Sequence, residues 1–421
     1  MSAKVLVIGS GGREQALAWK LVQSPKVDKV YVAPGNGGSK GKVENVDIGF
    51  TDGPALLKFV QDKQIDLSVV GPEAASEAGV PDLFQANGKL IFGPTKAAAR
   101  IETSKVFSKE LMSEQNIPTA QYQIFSDPTK ALAYAKTRLP VAIKADGLAA
   151  GKGVIIAATA QEADDAIDTI MVKKAFGDSG NRVVIEDFLT GQEVSVHAFC
   201  DGEKAVVFPA SQDHKQVFDG DKGPNTGGIG VIAPLTWVTA KHLDIIRDRI
   251  VEPALAGMKK KGAAFQGMLY PGLFISGDDI KLLEFNCRFG DPEAEVYARL
   301  LDGDLYDILS ACAVSKLDPG LVKWHPGFAV SVVLCAPGYP GDYPKGLPIT
   351  GVDEAEKLDD IVVFHAGTTI KDGQLVTAGG RVLNVTATGA TLDEALEKAY
   401  AAIKKIHFKG MHYRTDIGRR L

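Results

Sequence analysis

Pro140 to Thr159 reads PVAIKADGLAAGKGVIIAAT, and the folding of this stretch decides the architecture. An apolar run stands on each side of a glycine-rich turn, which is strand, loop, strand: a hairpin and not a crossover. The turn is close in composition to a P-loop. Its spacing, however, is GxxxGKG, no Ser or Thr follows Lys152, and a P-loop continues into a helix instead of a strand. A hairpin folding over ATP phosphates fits better, with Gly151 and Gly153 exposing backbone amides and Lys152 supplying charge. Lys144 lies on the leading strand among apolar neighbours, where an ammonium needs an anionic partner.

Upstream, apolar runs ending in Gly or Pro alternate with helical stretches. KVLVIG (residues 4–9), KVYVAPG (29–35), VDIGF (46–50), DLSVVGPE (66–73) and KLIFGPT (89–95) read as strands, with a helix such as PALLKFVQDK (54–63) between two of them. This alternation predicts a doubly wound parallel sheet with ligand loops at the strand C-terminal ends. The first loop, SGGRE (10–14), sits between a strand and a helix, so Gly11 and Gly12 could expose amides to an anion while Arg13 forks onto a phosphate. A dinucleotide fingerprint would need a third glycine where Glu14 stands, and an acid after the second strand where the chain has Ala33-Pro34-Gly35-Asn36. Both absences count against NAD.

Downstream, a helical segment spans about 96–115 and ends at NIPTA. A helix over 160–172 and the strand RVVIEDFL (182–189) complete a small lobe carrying Glu186 and Asp187, with Glu193 just beyond. The backbone here could present groups to an adenine edge, and Glu193 could accept from ribose hydroxyls. IKLLEFNCRFGDPE (280–293) is the sharpest local signal. Alternate residues of a strand share a face, so Glu284, Asn286 and Arg288 point one way, and Leu283, Phe285 and Cys287 point into the core. Oxygens from Glu284 and Asn286 suit a hard ion such as magnesium, and Arg288 could stabilise charge during phosphoryl transfer. Between these, SQDHKQVFDGDKGPNTGGIG (211–230) reads as a long polar loop, which marks function or disorder. Asp213, His214 and Lys215 offer acid/base and anion contacts there, and Asn225, Thr226, Gly227 and Gly228 offer a backbone pocket for a small carboxylate. Beyond DPGLVKWHPG (318–327), FAVSVVLCA, IVVFHAGTTI and GGRVLNVTATG read as strands. TLDEALEKAYAAIKKI (391–406) reads as a helix with Thr391 as N-cap and Glu394 in the capping-box position.

Bulk properties agree with a soluble multi-domain protein. The 421 residues exceed one compact domain, and 45% hydrophobic with 24% charged is an ordinary globular balance. A net charge of −5 provides no basic field for nucleic acid. The four cysteines have no CxxC spacing, which suits a reducing compartment, and no apolar stretch reaches membrane-spanning or signal-peptide length. The expected location is the cytoplasm. Taken together, the Lys144 hairpin and the Glu284–Asn286–Arg288 face point to an ATP-dependent ligase that activates a carboxylate and passes it to an amine.

VLVIGSGGRE, VAPGN, VVGPE, IFGPT, KADGLAAGKGV, SQDHK, GPNTGG, EFNCRFGDPE, FHAGT and GGRV occur in this order from end to end. In this the chain closely resembles the phosphoribosylamine–glycine ligase family of the ATP-grasp superfamily. The resemblance implies an α/β multi-domain fold: an N-terminal doubly wound parallel sheet (1–100), a connecting helical segment (101–120), a small hinged ATP lid lobe (121–190), a mixed α+β ATP-grasp core (191–318) and a small C-terminal α/β domain (325–421). It implies that glycine, phosphorylated by ATP to glycyl phosphate, is attacked by 5-phosphoribosylamine. Lys105, Lys144 and Gly151–Gly153 would then hold ATP phosphates, Glu186, Asp187 and Leu189 line the adenine site, and Glu193 meet the ribose. Glu284 and Asn286 would bind magnesium or manganese. Arg288, Asp213, Lys215, Asn225, Thr226, Gly227, Gly290 and Asp291 would handle glycine, the amine and the intermediate, and the SGGRE loop would seat the ribose phosphate. A monomer acting only on small molecules is implied. The chain departs from the family pattern at Ile229-Gly230-Val231-Ile232, where Met-Gly-Ala-Tyr is usual, and at Ala294-Glu295, where Thr-Gln or similar follows RFGDPE. Other ATP-grasp ligases, an NAD-dependent oxidoreductase and a non-catalytic nucleotide-binding module are the rival readings.

Overall fold

The computed structural model describes residues 2–148 and 153–419. Gly151 and Lys152 of the hairpin turn lie outside the described residues.

The N-terminal part is a five-stranded parallel sheet in the order Val43–Asn45, Val27–Pro34, Ala3–Gly9, Leu67–Val70, Ile91–Phe92. Its central strands are almost continuously buried because both faces are covered. The winding reverses at Ala3–Gly9, so a crevice opens between its C-terminal end and that of Leu67–Val70. VDIGF is not a strand: the pairing lies at Val43–Asn45, and Val46, Ile48 and Phe50 instead lay their side chains against the lower core. The helical segment after it is two helices, Lys96–Thr103 and Lys105–Glu114. Ser104 between them is extended, and its hydroxyl accepts from Phe107 N–H as the N-cap of the second helix.

Val141–Ala145 pairs antiparallel with Val154–Ala157, Lys144 opposite Val154, as a hairpin requires. These two belong to a four-stranded sheet ordered Tyr122–Phe125, Val183–Asp187, Val141–Ala145, Val154–Ala157. Helices Pro128–Lys136 and Ala160–Ile167 pack an alanine-rich face on it, Ala131, Ala135, Ala163 and Ala166 among them. The adjoining sheet is ordered Gln192–Ser195, Gln266–Ser276, Ala198–Asp201, Ala205–Val207, and Asp279–Asn286 also pairs with Gln266–Ser276.

Residues 211–230, expected to form a loop, are mostly strand. Gln216–Phe218 and Lys222–Asn225 form their own hairpin. Gln212–Asp213 and Gly230–Ala233 instead enter a sheet with the C-terminal strands, ordered Gln212–Asp213, Gly230–Ala233, Phe328–Cys335, Arg381–Gly389, Ile361–His365. The apolar side chains of Val231, Ile232 and Ala233 explain their recruitment, since all are buried. IVVFHAGTTI likewise breaks: its strand ends at His365, and Thr368–Lys371 begins a separate hairpin with Gln374–Thr377. Gly367 and Gly379 pack backbone to backbone at that break, where a Cβ on Gly367 would meet Gly379 Cα at 2.5 Å. Thr391 caps helix Leu392–Ile403 as expected, whereas the Glu394 carboxylate accepts from Ala390 N–H and not from the N-cap itself. Among the described residues no helix is long and apolar enough to cross a membrane.

Candidate active site

Two lysine–carboxylate sets meet where the sheet carrying Val141–Ala145 and Val183–Asp187 faces the strand Asp279–Asn286. On strand Val183–Asp187, Glu186 receives Lys144 Nζ from the neighbouring strand at 3.0 Å and Lys109 Nζ from helix Lys105–Glu114 at 3.1 Å, all three side chains being 2–3% exposed. Burial opposes the charge on Glu186, but the two ammonium groups outweigh it and hold its carboxyl below the usual range. Burial also lowers Lys109, to about 8, against the pull of Glu186. The Lys144 ammonium lies 3.4 Å from Leu283 O on the Asp279–Asn286 strand.

On that strand, Lys105 Nζ donates to Glu284 Oε2 at 2.6 Å. Burial again works against the carboxylate, yet Lys105 and then Lys144 hold Glu284 down to about 2. Asn286 Oδ1 accepts from Arg288 Nη2 at 3.3 Å, so the expected face is present, and Phe285 and Cys287 are buried opposite it. Leu283 does not join them: a bulge in the pairing with Gln266–Ser276 skips it, and Leu282 fills the core instead. Arg288 reaches further than the sequence indicates. Its Nη1 donates to Phe289 O at 3.1 Å, and its Nε lies 3.3 Å from Glu73 and 3.8 Å from Glu102. Glu102 in turn accepts from Cys287 N–H at 2.7 Å.

The third set lies across the Gln212–Asp213 strand. Lys215 Nζ stands 3.4 Å from Glu193 and 3.5 Å from Asp213. Burial raises Asp213 to about 7 despite Lys215. Thr226 folds back onto this set, its N–H and hydroxyl both donating to Lys215 O. Gly228 (φ +111°) packs so closely that a Cβ would meet Asp213 Oδ1 at 2.8 Å and Pro292 Cδ at 2.6 Å. Gly227 O and Asp291 O both accept from Arg381 Nη1, at 2.8 and 2.5 Å, while Asn225 is exposed on the hairpin. Behind them, Glu293 accepts from Tyr270 OH at 2.7 Å and Ser195 Oγ at 3.0 Å. Gly290 N–H donates to His197 Nε2 at 3.0 Å, and the His197 ring stacks on Tyr270.

The N-terminal loop lines a cavity of about 660 Å³ with C-terminal residues; Ser10, Gly11, Asn36, Asp291, Thr368 and Arg381 are on its wall. Arg13 does not fork into it. Its Nε bonds Glu14 at 2.5 Å and its Nη1 bonds Phe289 O at 3.0 Å. Glu14 lies across the sheet's crevice: a Cβ on Gly9 or Gly71 would meet its side chain at 2.4 and 2.1 Å. The Glu14 side chain thus packs against Gly9 and Gly71, at the position where a dinucleotide fingerprint has its third glycine. Asp187 is also engaged, in a two-bond pair with Arg138 at 2.7 and 2.6 Å. Leu189 is half-buried just after that strand, and Gly153 opens the return strand of the hairpin.

Comparison with known proteins agrees with this layout. Three domains of phosphoribosylglycinamide synthetase match consecutively: the N domain over 3–102, the ATP-grasp (A) domain over 103–294 and the C domain over 329–420. The chain belongs to the phosphoribosylglycinamide synthetase family. A phosphoribosylamine–glycine ligase of Vibrio cholerae is 49% identical over 421 residues, 99% of this chain and 98% of that protein. The structure of phosphoribosylamine–glycine ligase from Thermotoga maritima superposes with a TM-score of 0.87 at 35% identity, over 99% of this chain and 100% of that one. A biotin carboxylase domain from Hydrogenobacter thermophilus shares the fold at TM-score 0.73 and 14% identity, over 98% and 92%.

Within this member of the phosphoribosylglycinamide synthetase family, four charged groups escape the sequence reading. Lys109 follows Lys105 by one helical turn, so the i, i+4 spacing alone could have placed both on one face. Glu73 closes the quoted VVGPE and Arg381 sits in the quoted GGRV, yet neither motif states a partner. Glu102 carries no local signal.

Proposed function

We propose that the chain joins glycine to 5-phosphoribosylamine through glycyl phosphate, using ATP and a divalent ion, and yields glycinamide ribonucleotide, ADP and phosphate. The observation that carries this reading is the meeting of Lys144 and Lys109, both held on Glu186, with the Glu284–Asn286–Arg288 face. A full-length identity of 49% to a protein named phosphoribosylamine–glycine ligase supports the choice of substrates over those of other ATP-grasp enzymes.

Magnesium or manganese fits the donor set. Glu284, held ionised at about 2, and Asn286 both offer hard oxygens, with phosphates and waters left to complete the shell. Bound there, the ion would neutralise charge on the transferring phosphoryl group. Lys144 and Lys105 would hold ATP phosphates, together with the amides of Gly151–Gly153 and Lys152. Glu186 fixes the Lys144 ammonium in place, the backbone of Asp187 to Leu189 lines the base, and Glu193 meets the ribose. Arg288, steadied by Glu73, would take the charge developing on the acyl phosphate. Asp213 and Lys215 would bind the ammonium and carboxylate of glycine, with the Asn225–Gly227 backbone closing over it and Gly290 and Asp291 bordering it. The cavity beside Gly11 and Gly12 would take the sugar phosphate, with Arg381 on its wall in place of the inward-turned Arg13. A cytoplasmic monomer acting on small molecules completes the proposal.

The test is ADP release by the purified chain, with phosphoribosylamine generated in place and the metal titrated. ADP formation should require glycine, the amine and the metal together. Turnover with bicarbonate or formate in place of glycine, and none with glycine, would overturn the substrate assignment.

A further inference from the structure

Glu295, one turn into helix Glu293–Leu300, is fully buried, and no lysine, arginine or histidine lies within ion-pair distance among the described residues. Its Oε1 accepts from the amide Nδ2 of Asn384, on the strand Arg381–Gly389. The remaining oxygen of each partner, Glu295 Oε2 and Asn384 Oδ1, is buried without a hydrogen bond. Two stranded acceptors in one bonded pair cost free energy, and a single proton on Oε2 donated to the amide oxygen would remove both deficits. The pair also bears directly on the N-terminal loop. A Cβ on Gly12 would meet Glu295 Oε1 and Asn384 Nδ2, each at 2.4 Å, while a Cβ on Gly11 would meet Asp291 Oδ2 at 3.0 Å.

We propose that Glu295 is kept as a carboxylic acid in a cyclic acid–amide pair with Asn384, and that this pair is the positioning element on which the Gly11–Gly12 loop rests. The charges around it agree. Asp291 from the preceding turn disfavours a second anion; Arg381 favours one, but more weakly, and is itself paired with Asp291 at 3.2 Å. Helix Gly12–Leu21 contributes Arg13 and Glu14, paired with one another, and Lys20, whose ammonium is bonded to Leu301 O at the far end. Strand Gly230–Ala233 has no titratable group and Phe328–Cys335 only the Cys335 thiol. On the same helix Glu293 is engaged by Tyr270 and Ser195, and Arg299 by Asp360 O and Thr388. Burial and then Asp291 push the Glu295 carboxyl well above the ordinary range. Losing its proton would leave two carboxylates, at 291 and 295, pressed on the two loop glycines beside the cavity.

The sign of the pH effect follows from linkage. A carboxyl whose folded value is raised binds a proton in the native chain that the unfolded chain has released, so stability is greatest below the ordinary Glu range and falls as pH rises. Infrared difference spectra of the whole protein against Glu295→Gln in heavy water at neutral pH should show the C=O stretch of a protonated carboxyl in the wild type. Its absence overturns the proposal. Thermal unfolding should show Glu295→Gln gaining on the wild type from about pH 5.5 to about pH 8, by up to roughly tenfold in folding constant per pH unit. A difference that does not change with pH overturns it as well. Asn384→Leu serves as an independent arm: it should shift the carboxyl band, and an unshifted band means no acid–amide pair.

The consequence for the cavity rests on the sugar-phosphate reading above. Calorimetric affinity for ribose 5-phosphate should fall with pH in the wild type relative to Glu295→Gln. Identical pH profiles overturn the positioning role. Failure of both chains to bind ribose 5-phosphate at any pH counts against the cavity reading instead, and the infrared result then decides the acid–amide pair.

Discussion

Glu186 and Glu284 are both carboxylates paired with lysine at the same interface, yet their surroundings differ. Glu186 is sealed, 2% exposed, with two ammonium groups on it; Glu284 is 31% exposed and, among the described residues, has only Lys105 in direct ion-pair contact. A sealed carboxylate under two cations is a fixed support: it organises Lys144 and cannot leave without stranding charge. A carboxylate open on one side and held ionised can exchange its lysine for another cation. One pair builds the site, and the other is free to take part in the chemistry.

Separating the two is the most direct way to break that comparison. Glu284→Ala should lose turnover on the order of 10³-fold while its unfolding temperature stays near the wild-type value. Near-normal ADP formation would remove Glu284 from the metal site. Glu186→Gln should behave in the opposite way, losing about 3 kcal/mol of stability because Lys144 and Lys109 stay buried without their anion. Chemical denaturation measures this, and an unchanged midpoint would show that the lysines find water. Asp213 occupies the middle ground. With its carboxyl raised to about 7, it is neutral below that value and charged above it, so the KM for glycine should rise roughly tenfold per pH unit as pH falls below about 7. Asp213→Asn should have a high KM that ignores pH, and a KM that still falls as pH rises would dismiss Asp213 from the ammonium site.

The smallest effect sharpens the sealed side. Lys109 is lowered to about 8, so between there and its ordinary value near 10.4 the unfolded chain binds the extra proton and stability rises with pH. Lys109→Met keeps Lys144 on Glu186 one to one and should lack this rise. Parallel unfolding curves for the two chains across that window would mean Lys109 is not held neutral by burial.

Much of this was legible in the sequence, because periodicity and turn chemistry are local. The hairpin of 140–159, the parallel sheet and the alternation of Glu284, Asn286 and Arg288 each follow from residues a few positions apart. The missing elements depend on distant partners. Gln212–Asp213 and Gly230–Ala233 look like pieces of a polar loop until Phe328–Cys335 supplies an edge to pair with. Arg13 has the composition of a phosphate ligand, and only Phe289 O, 276 residues away in sequence, shows it turned inward. Glu73 and Glu102 similarly acquire meaning through Arg288. Glu295 was visible as a departure that adds a charge near the site, but its full burial against Asn384 could not be read from its neighbours.

The two strands lent by residues 212–233 to the C-terminal sheet also limit how the molecule can be taken apart. A fragment beginning at Phe328 would lack the edge that Gly230–Ala233 provides and would expose an unpaired row of amides and carbonyls. The C-terminal segment is thus not a portable module. Split reporters, circular permutants or chimaeras cut near 318–327 should assemble only when both pieces are present together.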